Sequence, residues 1–139
     1  MKKSFLSIAL VLVFLFTLAA CGTTANNTSL WSTATYQEDT TLGEGAKTLV
    51  VEVTAEEKTV TFTVKTDKDT VGAALLEQNL IEGDQGDYGL YIKKVNGMLA
   101  DYDVDQTYWA FSIGGEYAMS GVDTTEITEG VTYQLERTK

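Results

Sequence analysis

KTLVVEVTAEEKTVTFTVKTDKDTVGAALLEQNL, residues 47–80, decides the fold class. Leu49-Val50-Val51-Glu52-Val53 and Thr59-Val60-Thr61-Phe62-Thr63-Val64 are rich in β-branched residues, and the second run alternates strictly, with Val60, Phe62 and Val64 on one face. Such runs are half-buried strands, and Ala55-Glu56-Glu57-Lys58 between them reads as a hairpin loop. Thr66 to Thr70 then offers capping oxygens, and Val71, Ala74, Leu75 and Gln78 share a helical stripe with Leu76 and Leu80 beside it. That pattern predicts a helix of about ten residues.

Outward from this unit, Gly83-Asp84-Gln85-Gly86-Asp87 reads as a flexible acidic loop and Tyr88 to Val95 as a strand, with Asn96-Gly97 a tight turn after it. Tyr108 to Ile113 is a further strand, Gly114-Gly115 a second turn, Glu116 to Met119 a short return and Val131 to Glu136 a last strand. Two strands, one helix and several more strands predict an α+β, β-grasp-like domain, a mostly antiparallel sheet with one helix packed on it. Trp109, Phe111, Ile113, Leu75 and Val95 are its expected core between helix and sheet.

Composition bounds the function. The chain of 139 residues has 20 acidic and 10 basic side chains, no His, no Pro and one Cys. Without His, imidazole bases, catalytic triads and His-ligated metals are excluded, and one Cys permits no disulfide within the chain. A net charge of −10 with scattered basic residues argues against nucleic acid.

Met1-Lys2-Lys3 followed by the apolar run Phe5 to Ala20 reads as a secretion signal over residues 1–20. It is shorter than the roughly 20 apolar residues of a spanning helix, although a retained anchor helix is the alternative. Leu18-Ala19-Ala20-Cys21 looks like a bacterial lipobox, which makes Cys21 the lipidation site and places the protein on the extracytoplasmic face of a bacterial cell membrane. Residues 21–46, opening with the small polar run Gly22 to Ser29, read as a lipid-anchored tether, with Trp31 and Tyr36 as the exceptions, either of which could fold back onto the domain. Residues 47–139 are the domain.

No enzyme is expected. Asp101-Tyr102-Asp103-Val104-Asp105 has the opening spacing of a calcium loop, but Gln106 and Ser112 stand where an EF-hand needs Gly and Glu. A solvated acidic turn is the better reading, and no metal site is predicted. Carboxylate pairs for glycoside hydrolysis arise by coincidence among this many acids. More informative are the aromatics Tyr88, Tyr91, Tyr102, Tyr108, Trp109, Phe111 and Tyr117, crowded around two glycine turns. Alternation sends Tyr108 and Ala110 to one face of their strand and Trp109, Phe111 and Ile113 to the other. Tyr88, Tyr108, Tyr117 and Met119 are thus candidates for an apolar ligand platform.

Gly89-Leu90-Tyr91-Ile92-Lys93-Lys94-Val95-Asn96, then Tyr108-Trp109-Ala110-Phe111, then Gly121-Val122-Asp123 and a terminal strand resemble the C-terminal domain of the vitamin B12 carriers intrinsic factor and transcobalamin. The chain also looks like the transcobalamin-like domains of bacterial surface lipoproteins, over about Thr48 to Arg137. The resemblance implies that the loop Gly114 to Ser120, with Glu116, Tyr117, Ala118 and Met119, covers one face of cobalamin or a related corrinoid. Two departures stand out: the loop lacks the prolyl-leucine step of the carriers, and their large helical domain has no counterpart in this sequence. A transporter or second binding subunit is therefore an expected partner. The functional expectation is a lipid-anchored binding protein capturing a corrinoid for uptake, with no catalytic cofactor. Its rivals are a protein-interaction or adhesion module using the same aromatic face, and a carboxylate hydrolase.

Overall fold

The computed structural model describes residues 29–139; the expected signal peptide, Cys21 and the start of the tether lie outside the described residues. β2 (Lys47–Ala55) and β3 (Lys58–Thr66) form the expected hairpin, with burial alternating along both strands. Its loop is Glu56-Glu57, both at positive φ of 48° and 66°, as a two-residue turn requires to follow the twist of its strands. Leu49, Val51, Val53, Val60, Phe62 and Val64 are at most 2% exposed. Each contributes roughly 1.5–3 kcal/mol relative to an exposed position.

α1 (Val71–Glu77) begins where the Thr70 hydroxyl accepts a hydrogen bond from Ala73 N at 3.2 Å, and it buries Val71, Ala74 and Leu75. It is shorter than expected, because Gln78 leaves the helical conformation and Asn79 turns to a φ of 56°. The sheet is completed from distant sequence. β9 (Thr132–Thr138) lies parallel to β2, and β7 (Tyr108–Ile113) runs antiparallel to β9. β1 (Thr40–Gly43), parallel to β3, and the two-residue β8 (Glu116–Tyr117) form the edges, giving the order β1-β3-β2-β9-β7-β8. A second, antiparallel sheet of β4 (Ile81–Gly86), β5 (Gly89–Val95) and β6 (Met98–Leu99) shares one core with the first. The molecule is α+β, predominantly sheet with few helices.

Several expectations are corrected. The segment from Ser29 to Ala46 is part of the domain rather than tether, with Trp31 and Tyr36 folded back as the alternative had it: a 3-10 turn at Leu30–Thr33 buries Trp31, whose indole N–H donates to Ala55 O at 2.8 Å, and Tyr36 packs edge-on to Phe62. Lys58 Nζ lies 4.6 Å from the centre of the Trp31 ring, a favourable cation–π position. Gly83 to Asp87 is not a loop as far as Gly86, because those residues pair with β5 despite their poor strand propensity, with a bulge between Glu82 and Gly83. Tyr88 belongs to the turn, and β5 starts at Gly89. Trp109, Leu75 and Val95 are buried, but Phe111 and Ile113 are only half-buried, packed against the margin of the core. Phe111 instead stacks on Tyr133, with centroids 6.1 Å apart.

Candidate functional site

Two hairpin ends meet at one rim of the molecule. The β4–β5 hairpin closes through Asp87-Tyr88, where Gly89 takes a φ of 108°. The β7–β8 hairpin closes through Gly114-Gly115, both at positive φ, and its return is fixed by Ala118 N donating to Phe111 O at 3.0 Å. The chain then runs through Met119 and Ser120 to Gly121, where a Cβ would stand 4.0 Å from Tyr88 O. Tyr88 and Met119 therefore emerge from adjoining loops, both fully exposed, and Tyr117 is 72% exposed on the same hairpin.

The other candidates fall in different places. Glu116 is exposed and pairs with Ile113, so it points to the opposite face from Tyr117, which pairs with Ser112. Ala118 is half-buried, its N–H taken up by the hairpin. Tyr108 does not join the group. It is half-buried at the far end of β7, paired with Thr138, about 13 Å along the strand from Ser112 at 3.3 Å per residue.

A concavity away from this rim was not legible in the sequence. A cleft of 450 Å³ is lined by Asp84, Tyr91, Lys93, Leu99 and the segment Ala100 to Asp103. Lys93 Nζ lies 2.7 Å from Asp84, which raises the ammonium pKa above its usual value through that hydrogen bond and charge. The alternation that exposes Tyr91 and Lys93 while burying Ile92 was a usable signal; the pairing across to Asp84 was not.

The acidic run Asp101 to Asp105 serves local structure. Asp101 caps the single helical turn α2 (Tyr102–Asp105) by accepting from Asp103 N. Asp105 accepts from the hydroxyl and N–H of Thr107 and pairs with Arg137 at 3.2 Å. The Thr107 hydrogen bonds, and after them the Arg137 charge, hold its carboxyl below the usual value. Among the described residues no three Asp, Glu, His or Cys side chains gather as a metal-binding group, and no helix is long and apolar enough to cross a membrane.

The solved structure of a Ruminococcus gnavus ATCC 29149 protein, provisionally described as metal binding, is similar over 68% of this chain and 98% of its own, with 30% identity and a TM-score of 0.64. This chain belongs to the same family. A family model described as a domain of unknown function, DUF4430, matches residues 68–134 of it, from the approach to α1 into β9. A haptocorrin in complex with Cbi has a similar fold, with a TM-score of 0.53 and 20% identity over 66% of this chain. This family member spans only 25% of that haptocorrin chain. No curated protein matches it.

Proposed function

We propose that this chain is an extracytoplasmic, lipid-anchored binding protein that captures a corrinoid on the rim formed by Tyr88, Tyr117 and Met119. The observation that carries the reading is the exposure of these three large side chains on adjoining hairpin ends, in a fold similar to part of a haptocorrin complexed with Cbi, cobinamide. Contiguous exposed apolar groups on a small domain mark interaction sites. A corrin suits them: it is a broad apolar disc fringed by amides, and aromatic and thioether side chains adapt to such a face. No catalytic step is assigned, and the rim covers one face only, so a transporter or second subunit covers the other.

The finer fold assignment belongs to the same reading. The central order β3-β2-β9-β7, with β2 and β9 parallel and α1 crossing between the hairpin and the later strands, supports a β-grasp core with β1 and β8 added at its edges. Metal binding is not carried over from the Ruminococcus gnavus relative, because Asp101 and Asp105 are engaged in capping and pairing.

Titrating the protein with cobinamide tests the ligand. Saturable heat and a shift in the visible spectrum are expected, with affinity lost in Tyr117→Ala and Met119→Ala. Since the described chain offers no imidazole to cobalt, bound cobalamin should keep its base-on spectrum. No heat and no shift at high protein concentration would favour the interaction-module reading. Anchoring is tested separately: Cys21→Ser should leave the membrane fraction or remain unprocessed, and unchanged mass with full membrane retention would refute it.

A further inference from the structure

We infer that Asp123 is the positioning residue of the rim, clasping the β4–β5 hairpin tip to the turn after Met119 and so holding Tyr88 beside the Tyr117–Met119 loop. The consequence for ligand rests on the corrinoid reading; the clasp rests on geometry alone. Tyr88 is fully exposed, so side-chain packing does not fix its position. Its hairpin tip is bounded by Gly86 and Gly89, residues that leave a backbone free to move. What holds the tip is the next residue: Leu90 N donates to Asp123 Oδ2 at 3.3 Å.

Three glycines from three parts of the chain lie close against Asp123, two beside its carboxylate and one beside its backbone. A Cβ at Gly89 would lie 2.8 Å from Asp123 Oδ1, and one at Gly121 2.9 Å from the same atom. At Gly72, in α1, a Cβ would lie 2.9 Å from the Asp123 backbone. A Cβ at any of these positions would force Asp123 or its surroundings to shift. The turn carrying Asp123 is itself fastened. Thr125 Oγ1 donates to Gly121 O at 2.7 Å, Val71 N donates to Thr125 O at 2.9 Å, and Ser120 and Thr125 share a hydrogen bond at 3.0 Å. Rigidity therefore passes from the start of α1 through the turn to Asp123 and on to the hairpin tip. Asp123 Oδ1 is buried without a hydrogen-bond partner among the described residues. That is a destabilising feature, carried by the oxygen beside the one that holds Leu90 N.

A double-mutant cycle read with cobinamide separates positioning from general stability. Asp123→Ala should weaken binding about tenfold in the wild-type background but less than about twofold in Tyr88→Ala, because the side chain it positions is then gone. Asp123→Asn, whose amide oxygen still accepts from Leu90 N, should stay within about threefold of wild type. Equal losses in both backgrounds, or wild-type affinity in Asp123→Ala, would overturn the proposal. Amide hydrogen exchange on the free protein reads the clasp without ligand: Leu90 should exchange faster in Asp123→Ala while Ile92 does not, and an unchanged Leu90 rate refutes the clasp. If the wild type does not bind cobinamide, the corrinoid reading fails and the exchange result still decides the clasp. Should Asp123→Ala not fold, Asp123→Ser, too short to reach Leu90 N, replaces it in both measurements.

Discussion

Asn96 is fully buried, yet each of its polar atoms has a partner. Its side-chain oxygen accepts from Tyr36 N at 2.9 Å and its amide donates to Tyr36 O at 2.8 Å, while its backbone bonds Leu80 O and Thr35 N. It also holds a left-handed φ of 53° in the turn between β5 and β6, a conformation Asn tolerates far better than most residues. One residue thus closes a hairpin and pins the N-terminal segment across the core. Asn96→Ala removes both side-chain hydrogen bonds and should cost about 2–3 kcal/mol, read as a lowered Tm and denaturation midpoint. A loss below about 0.5 kcal/mol would show that Thr35 and Tyr36 hold themselves in place. Gly89, Leu90 and Asn96 of the carrier-like motif thus have structural duties at the hairpin tip and turn, whereas the rim side chains Tyr88, Tyr117 and Met119 make no claim on folding.

At the scale of elements, β9 and α2 are joined by Arg137, which donates to Leu99 O at 2.9 Å and pairs with Asp105 at 3.2 Å. This links the last strand of the large sheet to the end of the small one. Asp105 sits below its ordinary value of 3.8 in the folded protein, chiefly through Thr107. A carboxyl lowered by folding adds stability that is fully present above the unfolded value and is lost as pH falls through the folded one. Stability should therefore decline on acidification from about pH 5 to about pH 3, and Asp105→Asn should flatten that part of the profile. Thermal melts across this range check it; an identical slope in the variant would mean that other carboxylates account for the whole effect. Asp69, lowered by its hydrogen bond and charge from Lys47, acts in the same direction.

For the whole molecule, charge and shape act together. The chain carries a net charge of −10, and the two segments flanking the rim, residues 85–92 and 114–127, hold Asp87, Glu116, Asp123 and Glu126 without a Lys or Arg. Such a field favours a cationic corrinoid lacking the nucleotide phosphate over a phosphate-bearing one. On the proposed corrinoid reading, cobinamide should therefore bind more tightly than cobalamin, and its affinity should weaken several-fold as salt rises from about 50 mM to about 500 mM. Equal affinities with no salt dependence would exclude an electrostatic contribution. Local pattern determined much of this molecule. Strict alternation in Val60, Phe62 and Val64 set the hairpin, Thr70 set the helix start, and Asn96-Gly97 and Gly114-Gly115 set two turns, because each depends only on neighbours in the chain. Tertiary structure decided the rest. Gly83 to Gly86 is a strand only because β5 lies alongside, and Trp31 is core only because the end of the β2–β3 hairpin accepts its indole. Tyr108 is separated from the rim by the length of β7. Tyr88 and Met119 adjoin through a carboxylate 33 residues from the amide it holds, and no periodicity in the sequence records a contact made between loops so far apart.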